Sequence, residues 1–293
     1  MTDSLIKSTR GKLTRGILLL GLLAISGCAS LISSQVGGLA NSLSAAIYNN
    51  NDVESVGQAI PTFLVLIDSL IETSPDSETM LRAGAQLNDA YAAGFVSDAE
   101  RKKKLTDKSL VYAKAALCAN DDDFCDLAEL PHQEFLKQLA TSDEDNIDYI
   151  YTLSVSWLSW IQAHSDDWLA ITGLAKVEAL LNRVVELDDS YENGSAYLYL
   201  GGIATLLPSA LGGKPDEGRM HFDKAIEYSS GNNLMVKVVY AQMYARLVFD
   251  QVLHDKLLNE VLANDPDVKN FVLMNTLAQR EAKKLLASSD DYF

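Results

Sequence analysis

From Asp52 to the C-terminus, apolar residues recur three and four positions apart, with no sustained two-residue alternation and no hairpin signal. A chain patterned this way puts one stripe of each helix into a core and cannot offer one face of a strand to it. The fold class this predicts is all-α. Six prolines interrupt the chain, most at plausible helix boundaries. Pro61 is the exception: Val53 to Ile71 otherwise reads as one helix, so Pro61 predicts either a kink or that helix's true first turn. The helices come in couples: Thr79 to Val96 with Ala99 to Leu117, Ile147 to Ala163 with Trp168 to Leu187, Ser195 to Leu207 with Asp216 to Tyr228, and Leu234 to Val248 with Gln251 to Ala263. Val268 to Ala287 remains as a closing helix. Helix pairs of this size predict a repeat array. A hydrophobic fraction of 48% is ordinary for a folded globular chain, and the expected unit is one helical domain over 51–293.

The repeat is clearest in the third couple. Tyr197-Leu198-Tyr199-Leu200-Gly201 places an aromatic and Leu-Gly on a first helix, and Gly218, Phe222 and Ala225 follow at spacings of four and three on a second. That is the tetratricopeptide (TPR) pattern. Gly201 and Ala225 let two backbones approach, and Phe222 fills the gap beside them. Leu262-Ala263-Asn264-Asp265-Pro266 repeats the unit's usual ending. The expected architecture is therefore TPR-like antiparallel helix pairs in a compact superhelical array, with extra helices at the N-terminus and a closing helix at the C-terminus. In such arrays the first helix of each pair lines the concave surface. Aligning Gly201 with the motif glycine points Ser195, Leu198, Gly202 and Thr205 toward it. The third couple also carries a long insertion, Pro208 to Pro215, around Leu211-Gly212-Gly213. Adjacent glycines suggest positive φ or close approach by another chain. The loop is a candidate for an interface or pore mouth, with a structural turn packed on its own protomer as the alternative.

The first 27 residues differ from the rest. Lys7, Arg10, Lys12 and Arg15 precede an apolar run from Gly16 to Ile25, about half the ~20 residues a membrane span needs, so the segment reads as a secretory signal. Ile25-Ser26-Gly27-Cys28 resembles the bacterial lipobox, in which the cysteine is acylated and becomes the new N-terminus. Residues 28–50 then read as a lipidated tether leading into a first helix. Ala29 stands where an aspartate often marks inner-membrane retention, which favours the outer membrane. The whole chain has 24 basic and 40 acidic residues; losing the signal's four cations and Asp3 leaves 20 and 39, a net charge of −19. That field repels a phosphate backbone, which argues against nucleic acid.

Cys118 and Cys125, with six residues between them, are expected to pair in an oxidising periplasm, with free thiols or a metal site as alternatives. Asp121-Asp122-Asp123 lies between them without the ligand spacing of a calcium loop, and no metal is expected. Trp157 and Trp160 share a helical face and are candidates to line an aromatic groove, or simply to pack a core. His132, His164, His221 and His254 are scattered, and no nucleophile elbow, phosphate loop or dinucleotide fingerprint occurs. No catalytic residues and no cofactor are expected.

Several further strings carry a resemblance. They are Pro61-Thr62-Phe63-Leu64 with Leu66-Ile67-Asp68, Ala90-Tyr91 with Phe95, Ala115-Ala116-Leu117-Cys118, and Trp157 with Trp160. The most specific are Pro208 with Leu211-Gly212-Gly213, His221-Phe222 with Lys224-Ala225-Ile226-Glu227, and Leu273-Met274-Asn275. From Cys28 to Phe293 the chain resembles the T component associated with TRAP transporters (TatT), a TPR-type lipoprotein. The resemblance implies a periplasmic homotrimer that docks TRAP solute-binding subunits. It also implies a pore through each protomer that passes or holds a small organic, including hydrophobic, ligand. The other reading of the sequence is a TPR scaffold lipoprotein in envelope assembly.

Overall fold

Capping residues set the helix starts. Asp52 accepts from the Ser55 amide at 3.0 Å and opens α1, Val53–Thr73. Asp98 accepts from the Arg101 amide at 2.8 Å and opens α3, Ala99–Asn120, after α2, Glu78–Phe95. Pro61 lies inside α1 rather than in its first turn. The computed structural model describes residues 45–293, and those from Ile47 onward form one compact unit. The signal segment and Cys28 lie outside the described residues.

The remaining helices are α4 (His132–Leu139), α5 (Ile147–Ala163), α6 (Trp168–Ile171), α7 (Leu174–Leu187), α8 (Tyr191–Ala204), α9 (Pro215–Tyr228), α10 (Leu234–Val239), α11 (Gln251–Ala263), α12 (Val272–Ala287) and α13 (Ser289–Tyr292). No strand occurs among the described residues. Boundaries depart from expectation in several places; the helix expected to run to Leu207 ends at Ala204. The helix expected over Trp168 to Leu187 is two, because the chain turns at Thr172 and Gly173, where a Cβ on Gly173 would meet Trp157 Nε1 at 2.9 Å. The helix from Leu234 widens into a π turn over Tyr240–Ala245. The closing helix starts at Val272, because Pro266 and the left-handed Asn270 (φ 71°) hold the preceding segment out of it.

Each long helix packs on the next, and the circuit closes. α2 lies on α3, α3 on α5, α5 on α7, α7 on α8, α8 on α9, and α10 to α12 follow. Phe222 and Ala225 are buried in the α8–α9 seam, and a Cβ on Gly201 would lie 2.8 Å from the Phe222 ring, as the repeat motif requires. α12 then returns to α1. Leu273 is buried with Val53, Val56 and Ile60, and Leu277 packs against that cluster. At the rim Arg280 pairs with both Glu54 oxygens (2.6 and 3.1 Å), and the Asn270 amide donates to Asn49 Oδ1 at 2.7 Å. Asn275 is fully buried: its Oδ1 accepts from the Leu234 amide (2.9 Å) and its Nδ2 donates to Asn232 carbonyl oxygen (2.9 Å), tying α12 to the start of α10.

Candidate functional site

Three first helices, α2, α5 and α8, turn their inner faces toward one another. α2 brings Arg82, Gln86 and Asp89; α5 brings Asp148, Tyr151 and Thr152; α8 brings Tyr191, Glu192, Ser195 and Tyr199. Arg82 and the Tyr191 hydroxyl take opposite oxygens of Asp148. The Tyr151 ring meets Tyr191 edge-on at 5.3 Å and Tyr199 at 6.3 Å. Gln86 Nε2 donates to Thr152 Oγ1 at 3.3 Å, joining α2 to α5. On the same face of α8, a Cβ built on Gly202 would meet nothing within 4 Å. Tyr48, entering from the chain before α1, keeps 48% of its surface exposed although Glu192 and Arg82 are its electrostatic neighbours.

The start of α8 is shaped by strain. Glu192 (φ 48°), Asn193 (φ 58°) and Gly194 (φ 71°) form three successive left-handed residues before the right-handed helix begins. For the two non-glycine residues this conformation costs about 1–2 kcal/mol each. Gly194 is required there, since a Cβ would lie 2.5 Å from that of Tyr228. The turn delivers Glu192 beside Asp148, Tyr48 and Tyr151. Glu192 is exposed at the surface, and its carboxyl has no hydrogen-bond or ion-pair partner among the described residues. Partial desolvation and the Asp148 charge raise its pKa, and Arg82 offsets them in part. Burial holds the Tyr151 hydroxyl well above its ordinary range and pushes Tyr199 up to about 12, so both rings stay neutral.

Asp89 lies deeper, 6% exposed. Ser156 Oγ donates to its Oδ2 at 2.6 Å, and the Ser109 and Ser159 hydroxyls stand close enough to favour the anion. Its Oδ1 has no hydrogen-bond partner among the described residues. Burial outweighs these contacts and lifts the carboxyl to about 6.

The candidates from sequence divide between this cluster and other places. Ser195, Leu198 and Gly202 are half-buried on the α8 face that carries Tyr199. Thr205 is buried at the end of α8: its Oγ1 donates to the Gly201 carbonyl at 2.7 Å and its methyl packs over Gly218. Trp157 and Trp160 occupy the opposite side of α5. Lys114 and Lys176 stand over the Trp157 ring (6.0 and 5.8 Å), while Trp160 stacks on His164 and donates to Asp107 at 2.8 Å. Leu211 is 68% exposed on the insertion loop. Gly212 is left-handed (φ 89°), and a Cβ on Gly213 would fall 1.6 Å from the Leu207 carbonyl oxygen. Cys118 and Cys125 form a disulfide that fastens the end of α3 to the short 3-10 turn after it. Sequence reasoning missed Arg82, Asp89, Tyr151 and Glu192. Their one available signal was the first-helix position of α2 and α5.

A serine, histidine and aspartate do meet elsewhere. Ser289 Oγ donates to Asp255 at 2.6 Å, and His254 Nδ1 lies 2.8 Å from the same carboxylate and 3.5 Å from Ser289. Serine and aspartate crowd one ring nitrogen, whereas a nucleophile needs the imidazole between it and the acid. Both His254 and Ser289 are buried, so the cluster joins α11 to α13 as packing.

An all-helical array of paired helices whose last long helix returns to its first, with a polar and aromatic cluster between α2, α5 and α8, defines the class: an all-α protein of packed helix pairs. Residues 49–293 match the TRAP transporter T-component family (TAtT), and the chain belongs to it. It is also similar to a Treponema pallidum (strain Nichols) protein described as uncharacterized. The two are 22% identical over 272 residues, which covers 83% of this chain and 81% of the relative.

Proposed function

We propose that this TRAP-associated chain is a periplasmic lipoprotein subunit that docks the system's solute-binding subunit and holds or passes a small organic ligand between α2, α5 and α8. Membership of the T-component family is the observation that carries the reading. The lipobox ending in Cys28 supports a lipid anchor, with the outer membrane as its site. Leu206 and Leu207 just before the insertion loop and Leu211 on it are exposed, which suits contacts between protomers of a homotrimer or with the docked subunit. No catalytic role is assigned to any residue.

The test is association. The full chain in detergent, mixed with a TRAP solute-binding subunit of the same organism, is expected to co-elute with it as a saturable complex whose mass by light scattering contains three copies of this chain. Separate elution at every ratio would overturn the docking reading. Co-purification with outer-membrane assembly components instead would support the scaffold alternative.

A further inference from the structure

We propose that one edge of the array, made by the turns inside the helix couples, rests on the surface of an anionic phospholipid bilayer. Trp168, Leu169, Phe249 and Val252 enter the interface, and the basic start of α3 faces the headgroups. The inference goes beyond a lipid anchor, which tethers a chain without fixing which side of it meets the membrane.

Consecutive helices of an up-and-down array run antiparallel, so the turns inside couples fall at one edge and the turns between couples at the other. Contacts gather the first set. Lys103, in the second turn of α3, pairs with Asp166 in the turn after α5 at 3.0 Å. Lys214, just before α9, has Glu178 of α7 as an electrostatic neighbour, and Arg219 of α9 has Tyr244 of the π turn. The two sets of turns differ in chemistry. Inside couples, Trp168 and Leu169 are 76% and 75% exposed, and Phe249 and Val252 stand out where the chain enters α11. Leu206, Leu207 and Leu211 are exposed in the turn between α8 and α9. The turns between couples read Asp121-Asp122-Asp123, Asp188-Asp189-Ser190, Ser229-Ser230-Gly231-Asn232-Asn233 and Asn264-Asp265-Pro266-Asp267. None of these four strings carries a lysine, an arginine or a large exposed apolar side chain.

Charge and spacing name the occupant. Arg101-Lys102-Lys103-Lys104 occupies the first two turns of α3, where the helix dipole disfavours positive charge, so the run is not there to stabilise the helix. Lys102 and Lys104 make no hydrogen bond or ion pair among the described residues. Asp98, Asp167 and Asp250, at the same edge, are taken up as helix caps. In a chain of net charge −16, an anionic surface repels the acidic edge and accepts this one. Clustered lysines and arginines draw a protein to anionic headgroups. Tryptophan suits the same depth, because its ring is apolar and its N–H is polar. The apolar tips also stand on separate turns. A protein partner needs a continuous buried core to its contact, whereas a fluid interface takes tips that stand apart. The leucines of the insertion lie on this edge, so the lipid and docking readings compete for them, and the experiment tells the two apart.

The test places a polarity-sensitive thiol probe on the full chain in vesicles of phosphatidylcholine, with or without phosphatidylglycerol, carrying brominated acyl chains as quencher. Leu169→Cys and Val252→Cys report the proposed edge and Asp265→Cys the opposite one; the unaltered chain gives the background label, and circular dichroism controls for folding. With phosphatidylglycerol present, the probes at 169 and 252 are expected to shift to the blue and to be quenched several times more strongly than the probe at 265. Adding Lys102→Gln and Lys104→Gln to Leu169→Cys should bring its quenching down toward the value in phosphatidylcholine alone. Equal quenching at all three positions would mean that an anchor alone holds the chain, and would overturn the proposal. Quenching at only one of the two tips would overturn the edge, and equal quenching without phosphatidylglycerol would overturn its anionic partner. A blue shift at 169 that appears without vesicles, on adding a TRAP solute-binding subunit, would give the edge to that subunit; the docking reading would then stand and the lipid reading fall.

Discussion

Asp89 is buried among serines with its carboxyl lifted to about 6 from an ordinary 3.8. Folding therefore favours the protonated form. Its contribution is fully present below about pH 3.8 and is lost as the pH rises through about 6. A carboxyl raised this far disfavours the folded state by about 3 kcal/mol at neutral pH, an upper figure for a single group. Asp89→Asn keeps an acceptor for Ser156 and removes the titration. The variant is expected to melt higher than the unaltered chain at pH 7.5, by up to a few kcal/mol of stability, and to converge with it near pH 4. Thermal melts followed by circular dichroism across that range would check it; a gap independent of pH would contradict the assignment. The aspartate could be read in the sequence only as one of 40 acidic residues, because its burial depends on α3 and α5 closing over α2.

At the scale of elements, the insertion between α8 and α9 divides into two jobs. The glycines shape the loop: Gly213 backs directly onto the Leu207 carbonyl, while the Gly212 side faces open space at a positive φ. Gly213→Ala should cost more stability than Gly212→Ala, since a clash with backbone cannot relax by a side-chain rotation and left-handed strain costs only about 1–2 kcal/mol. Leu211, exposed, does no such shaping, so Leu211→Ser should leave helical content unchanged. If the loop is a protomer interface, the same variant should lower the mass seen by light scattering. Unchanged mass would remove this loop from the interface. The spacing of glycine and proline made the loop visible in the sequence. The close approach behind Gly213 was not, because it depends on where the last turn of α8 ends. The helix His132–Leu139 also escaped expectation: eight residues with Phe135 and Leu139 buried are too short for periodicity to separate from a loop.

At the scale of the whole unit, stability depends on how α12 meets α1. The closure has an apolar part, Leu273 with Val53, Val56 and Ile60, and a charged rim, Arg280 with Glu54. The rim pair is exposed on both sides, so Arg280→Ala should cost no more than about 0.5 kcal/mol. Leu273→Ala opens a cavity at the seam and should cost about 2–4 kcal/mol. Urea unfolding of the two variants measures the ratio, and equal losses would mean that the charges and not the apolar seam hold the circuit closed. Closure also matters for the cluster, because Tyr48 lies just ahead of α1 and is placed near Glu192 by the same end of the unit.

Helical periodicity, the scarcity of proline and the Gly201–Phe222–Ala225 spacing determined by themselves that this chain is all-α, that its helices pair, and which faces of α8 and α9 meet. These are local properties, set by turn geometry and by which residues leave room for a neighbouring backbone. The lipobox-like string and the T-component resemblance are legible in the same way, as short strings. The cluster between α2, α5 and α8 is not local. Arg82, Asp148 and Glu192 are far apart in sequence and become one site only when α2, α5 and α8 face inward together. Which of many carboxylates is left without a partner is decided by burial and by what the neighbouring helices bring, and only the tertiary structure settles that.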